Sequence, residues 1–241
     1  MYKLFIIGTM TFIYLMVSGC CTKNPKYMIQ RQPQKNQFHL NHVSQDNLKP
    51  ITLFEKNANN GDANAQYNLG MSYKNGSNGV PKNYVKAAEW FQKAAVQDNQ
   101  YAQVNLGLMY ENGLGVIKNY QTAAEWYQKA ANQGNSYAQT SLATMYKNGL
   151  GVSKNYSKAI EWYQQAANQG YAVAQYHLGT IYKNGLGVPK DYSKAIEWFQ
   201  KAANQGDKSA QANLGKMYEN GLGIPKDHSK AVEWYRKAAN P

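Results

Sequence analysis

Sulfur chemistry is nearly absent from this chain. Its two cysteines, Cys20 and Cys21, stand side by side, and none follows from residue 22 to Pro241. That excludes a disulfide framework and a cysteine nucleophile in the body of the protein. Histidine is scarce too: His39 and His42 near the start, His177, and His228 where other copies of a repeated frame have Tyr. No H-E-x-x-H occurs, and His39-x-x-His42 has no further ligands of the usual types nearby, so no metal is expected. His177 reads as a surface residue and His228 as a tolerated replacement at a helix start. There is no Gly-x-Ser-x-Gly and no clustering of carboxylates, so catalysis has no visible residues and no cofactor is expected. Acidic side chains are outnumbered, 14 against 26 Lys and Arg, for a formal charge of +12. With twenty tyrosines this raises the question of a nucleic-acid stacking surface. The tyrosines recur at fixed helical positions, however, as at Tyr73, Tyr110, Tyr146, Tyr182 and Tyr218. They read as core, and nucleic acid is not an expected partner.

Long hydrophobic runs are also missing, with one exception. Leu4 to Val17 is nearly unbroken, and Lys3 is the only charge before it. The run is short for a membrane span and reads as an export signal over residues 1–19. Val17-Ser18-Gly19-Cys20 resembles the lipobox of bacterial lipoproteins. That resemblance implies cleavage before Cys20 and a lipid on its thiol. An ordinary signal peptide cut nearby, or an uncleaved anchor, is the competing reading. The residue after Cys20 is Cys21 rather than Asp, which in lipoproteins of the Gram-negative type favours the outer membrane. Residues 20–50 are rich in Gln, Asn and Lys without apolar periodicity, which suits a flexible tether. Their positive charge suits anionic surfaces such as lipid headgroups or cell-wall polymers, or is only a solvated lysine-rich surface.

What the sequence does have is a period. Trp90, Trp126, Trp162, Trp198 and Trp234 are each 36 residues apart. Around each runs the frame A-Q-x-x-L-(G/A)-x-x-Y-(K/E)-N-G, then a loop ending (V/I)-x-K-(N/D), then A-x-E-W-(F/Y) and a closing A-A. This is a helix, a turn and a second helix. In the second copy Ala102, Leu106, Met109 and Tyr110 share one helical face. Gly113 is placed to end that helix in the left-handed conformation, Gly115 lets the chain turn back, and Asn119 caps the next helix. Asn83, Asn155, Asp191 and Asp227 take the capping place elsewhere. The glycine pairs are therefore turn residues. A phosphate-binding loop needs Gly-x4-Gly-Lys-Ser/Thr, or a third glycine where Lys118 or Lys190 stands. The second helix carries an apolar arc too wide for one partner, so it packs on two sides, with each Trp expected as a buried anchor. Glu89–Lys93, Glu125–Lys129, Glu197–Lys201 and Glu233–Lys237 read as solvated pairs one turn apart.

These residues resemble the Sel-one-like repeat (SLR) family, relatives of the tetratricopeptide repeats, over residues 51–241. The resemblance implies an all-α fold: a right-handed α-solenoid of five stacked helix pairs, near 65–100, 101–136, 137–172, 173–208 and 209–241. Leu53 to Ala58, with Pro50 at the first turn, matches the end of a second helix and is expected as an N-terminal half-repeat. Three departures from the frame are tolerable: Ser77-Asn78 lengthens the first loop, Asp98 replaces a glycine between repeats, and Ala143 replaces a glycine in a first helix.

Because the five copies align with one another, their differences point to where a ligand could act. Tyr67, Val104, Thr140, Tyr176 and Ala212 form one varying row on the first helices, and Met71, Leu108, Thr144, Thr180 and Lys216 another. In tetratricopeptide-like solenoids first helices line the concave groove, so these rows resemble a surface for a peptide or polymer; drift on a solvated face is the alternative. The last second helix keeps Val232, Trp234, Ala238 and Ala239, an apolar flank expected to dock a partner or a second copy of the chain, or else to fray. The expected function is a non-enzymatic scaffold, lipid-anchored to the bacterial envelope, that engages a protein or cell-wall polymer. Two alternatives stand beside it. One is a secreted factor acting on host proteins. The other is a β-lactam-binding or hydrolysing enzyme, as attributed to cysteine-rich SLR proteins, whose disulfides this chain lacks.

Overall fold

The computed structural model describes residues 50–239, which hold eleven α-helices and no strand. The export signal, Cys20, the tether, His39 and His42 lie outside the described residues. Helix α1 (Pro50–Asn59) precedes five pairs: α2 (Ala63–Asn75) with α3 (Tyr84–Ala95), α4 (Gln100–Asn112) with α5 (Tyr120–Asn132), α6 (Ser136–Asn148) with α7 (Tyr156–Asn168), α8 (Ala172–Asn184) with α9 (Tyr192–Asn204), and α10 (Lys208–Asn220) with α11 (His228–Ala239). Each pair is one repeat, here repeats 1 to 5. Each second helix packs on its own first helix and on the first helix of the following repeat, so the pairs stack into an α-solenoid.

Local signals set the helix ends. The side chains of Asn83, Asn119, Asn155, Asp191 and Asp227 each accept from the backbone N–H three residues on, at 2.9–3.0 Å. Asp62, Asn99, Asn135 and Asp207 do the same for first helices, at 2.7–3.0 Å, a set of caps the sequence reading passed over. Such a cap satisfies a backbone donor that the helix cannot, for about 1 kcal/mol. Gly113 ends α4 at φ 70° and donates to the Met109 carbonyl. Asp98 stands at φ 61°, the left-handed conformation expected of it. Gly115 does more than turn the chain: a Cβ there would sit 2.3 Å from the Tyr84 carbonyl. Each loop from repeat 2 onward thus leans on the start of the preceding repeat's second helix, as Gly151 leans on Tyr120.

The core corrects two expectations. The fully buried ring of each inner repeat is not the Trp but its successor: Phe91, Tyr127, Tyr163 and Phe199 have no exposed surface. These rings lie against the first helix where Gly70, Gly107 and Gly179 leave room, and a Cβ there would approach them to 2.6–2.7 Å. The tryptophans close the seams instead. Trp126 packs into the core of repeat 1, Trp162 into that of repeat 2 and Trp198 into that of repeat 3. Trp126 is buried, but Trp90, Trp162, Trp198 and Trp234 are only half-buried. The second correction concerns charge. Lys93, Lys129, Lys201 and Lys237 lie over the rings of Trp90, Trp126, Trp198 and Trp234 at 3.9–4.3 Å, not on the glutamates a turn away. Among the described residues the ion pairs are Lys194–Asp191 and Lys230–Asp227. A ring face three residues back lies within reach of the ammonium and shelters its stem.

A buried amide ladder joins the repeats. Gln66, Gln103, Gln139, Gln175 and Gln211 donate to Ala58, Ala95, Ala131, Ala167 and Ala203, carbonyls at the C-terminal ends of the preceding helices, at 3.0–3.2 Å. Helix ends leave such carbonyls without internal partners. The first four of these glutamines also accept, at 2.8 Å, from Gln97, Gln133, Gln169 and Gln205. Among the described residues Gln211 Oε1 has no partner, and the residue in register with Gln205 is Pro241, which lies outside them.

Candidate interaction surface

The first helices lie side by side and touch through their varying side chains. Tyr67 of α2 meets Tyr101 of α4 at 6.0 Å between ring centres and Phe91 at 5.9 Å. Lys74 Nζ donates to Asn105 Oδ1, and Lys183 Nζ to Asn213 Oδ1, both at 2.6 Å across the same kind of joint. The face they build is mixed. At repeats 1 and 2 it carries the half-buried Tyr67, Met71 and Leu108 and the exposed Tyr101. At repeats 4 and 5 it carries Lys183 and Lys216.

Not every expected residue belongs to it. Val104 has no exposed surface and packs with Tyr127 and Leu142, while Thr140 is 6% exposed and donates to the Ser136 carbonyl. Both are removed from the candidate surface, because their place in the helix falls in the seam between neighbouring first helices rather than on the open side. Tyr176 and Ala212, in the same row, are half-buried. In the second row Met71, Leu108, Thr144 and Thr180 are half-buried and Lys216 is exposed. The hydroxyls of Thr144 and Thr180 bond back to their own helices, at 2.9 and 3.1 Å. At the end of repeat 5, Val232 is 45% exposed, Ala239 is exposed, and Trp234 and Ala238 are half-buried.

His177 also departs from the surface role expected of it. Its ring packs on Tyr163 at 4.8 Å and Tyr176 at 5.4 Å. Burial, and then the Lys147 ammonium, push its pKa down to about 3. It is a neutral packing residue at neutral pH. The phenols behind this face are tied down as well. Tyr127 donates to Glu111 at 2.7 Å, and burial followed by the Glu111 charge raises its pKa well above the ordinary value. The Tyr163 hydroxyl instead meets Thr144 at 2.8 Å. Among the described residues no three His, Cys, Asp or Glu side chains gather as a metal site would require.

The face residues that the sequence reading missed are Tyr101, Lys74, Lys183 and Asn213, with the buried Asn105 as the partner of Lys74. A signal for them was present. Glu111 and Glu219 accompany Tyr127 and Tyr235, whereas Lys74 and Lys183, in the same register, accompany Phe91 and Phe199. In these four repeats a carboxylate accompanies the phenol and a lysine the phenyl ring; repeat 3 departs, with Lys147 beside Tyr163, whose hydroxyl turns to Thr144 instead.

The Sel1 repeat family model matches residues 63–99, 100–135, 136–171, 172–207 and 208–240. Among solved structures, a protective antigen of uropathogenic Escherichia coli strains with an SLR fold is 39% identical, with a TM-score of 0.76 over 78% of this chain. This chain spans 40% of that antigen's length. A Sel1 repeat protein from Oxalobacter formigenes is 38% identical, with a TM-score of 0.74 over 78% of this chain and 77% of its own. An immunity protein from Pseudomonas aeruginosa is 26% identical, with a TM-score of 0.52 over 82% and 77% of the two chains. No curated protein matches.

Proposed function

The chain belongs to the Sel1-repeat family, whose members are typically protein-interaction scaffolds, and from that premise we propose a non-enzymatic binding scaffold held at the bacterial envelope. A lipid on Cys20 is the anchor, the outer membrane its site, and residues 20–50 the spacer. The first helices form the groove that engages a protein or cell-wall polymer. One observation carries this reading: the five copies share their core and their turn glycines, while the side chains of the first-helix face change from repeat to repeat, from Met71, Tyr101 and Leu108 to Lys183 and Lys216. An exposed side chain that differs between repeats of one frame is free to serve a ligand.

Two measurements test it. Labelled palmitate enters the wild type and not Cys20→Ser, and membrane fractionation places the protein in the envelope only when Cys20 is present. Crosslinking in intact envelopes captures a partner that Leu108→Ser and Lys216→Thr both diminish. A partner captured equally by all three forms removes the groove from the proposal. The similarity to a protective antigen supports a second reading, a factor presented or released outside the cell to act on host proteins. Protease digestion of intact cells separates the two, since a protein facing the periplasm survives it.

A further inference from the structure

The joint between α8 and α10 differs from the other three joints between first helices. It holds a cleft of about 280 Å³ whose lining includes Lys183, Lys190 and Lys216 with Asn184, Asn213 and Asn220. Among the described residues no carboxylate pairs with these lysines. Asp191 caps α9 and pairs with Lys194, and Glu219 accepts from Tyr235 at 2.8 Å. At the corresponding joints a lysine or Glu111 stands in register with Lys183, and Lys82, Lys118 and Lys154 stand in register with Lys190. The residue in register with Lys216 is Met71, Leu108, Thr144 or Thr180. Lys216 therefore brings a third lysine to a joint that elsewhere has at most two. Burial, and then the charge of Lys216, hold the Lys183 pKa down. Two ammonium groups at one half-buried cleft repel each other until an anion enters between them.

Resting on the groove reading above, we infer that this cleft binds the carboxylates of an acidic segment in an extended peptide. The rest of the face says why the anion is carried by a peptide. Apolar Leu108, Met71 and Tyr101 lie at the other end of the same face, and amide side chains line the cleft between the lysines. A uniformly charged phosphate polymer has nothing to place on the apolar end. A peptide with acidic residues at one end and apolar residues at the other matches both and is held in one orientation only.

The test is a selection from displayed random peptides of about ten residues, enough to reach from α4 to α10 if neighbouring helices are roughly 8–10 Å apart. The full chain enriches sequences with Asp and Glu clustered at one end and apolar residues at the other. A peptide so selected, followed by fluorescence anisotropy, binds Lys216→Thr about tenfold more weakly and loses affinity in added salt. Because Thr already occupies this place in repeats 3 and 4, that variant keeps its helical circular dichroism and its melting temperature. Leu108→Ser weakens the same peptide without changing its salt dependence. Enriched peptides without acidic bias, or a bias that survives in Lys216→Thr, overturn the inference and leave the groove in place. If nothing is enriched, the inference fails, while the groove reading stands or falls by the crosslinking above. Displacement of the peptide by polyphosphate more readily than by polyglutamate overturns it in favour of a phosphate ligand.

Discussion

Repeats 2 and 3 begin from the same frame and solve one problem differently. In both, a tyrosine hydroxyl is buried behind the first helix and must find a partner. In repeat 2, Gly107 lets the Tyr127 ring come close and Glu111 accepts its hydroxyl. In repeat 3, Ala143 takes the glycine's place, Lys147 takes the glutamate's, and the Tyr163 hydroxyl turns to Thr144. On the far side Tyr163 meets the ring of His177, whereas Ser141 bonds to Tyr127. One buried polar atom thus decides which side chains the exposed end of the helix can carry. The variation on the face is constrained from beneath.

The comparison breaks first at the rings themselves. Tyr127→Ala and Tyr163→Ala should each cost about 3–5 kcal/mol in urea melts, since both rings are fully buried. Trp162→Ala should cost less, because its ring is half-buried; an equal loss would return the Trp to the centre of the core. Acid comes next and separates the two repeats. His177 is held neutral down to about pH 3 in the fold against an ordinary 6.5, so below 6.5 the unfolded chain gains a proton that the folded chain refuses. Stability should fall as pH drops from 6.5 toward 3, by about 2 kcal/mol near pH 5. Melts of His177→Asn against the wild type should diverge over that window and agree at neutral pH. Substituting the frame of one repeat into the other is the third test. Glu111→Lys should cost about 1–2 kcal/mol by leaving the Tyr127 hydroxyl without its acceptor, and adding Tyr127→Phe should recover most of it in a double-mutant cycle. The smallest effect belongs to Lys129, over the Trp126 ring at 4.3 Å. Repeat 3 already has Gln165 in that register, and Lys129→Gln should cost about 0.5 kcal/mol by the same melts.

The period, the turns and the second-helix caps were legible because each rests on local chemistry. A glycine that must take positive φ, or an asparagine that must reach a backbone N–H, shows itself within four residues. The rank of burial was not legible. A wide apolar arc tells that a helix has two neighbours, but not that the indole at 162 lies at the seam while the phenol at 163 lies at the centre. Val104 and Thr140 misled for a related reason: variation between repeats was taken for exposure, although a seam between helices also varies. Gln66, Gln103, Gln139 and Gln175 look like surface residues in any composition, and only the helix-end carbonyls beside them explain their burial.

The amide ladder bears on how such a chain could lengthen. Each of its joints is made from the same parts: a glutamine on one side, a helix-end carbonyl on the other, and a loop leaning backward on the helix before it. A duplication of 36 residues, cut at any point in the frame, would remake each joint whole, with no buried amide left over and no loop without its support. A duplication that is not a whole number of repeats would open one. The ladder therefore acts as a gauge for recombination, passing whole units and rejecting fractions, so that the surface can gain a new position for a ligand without a new core having to be found.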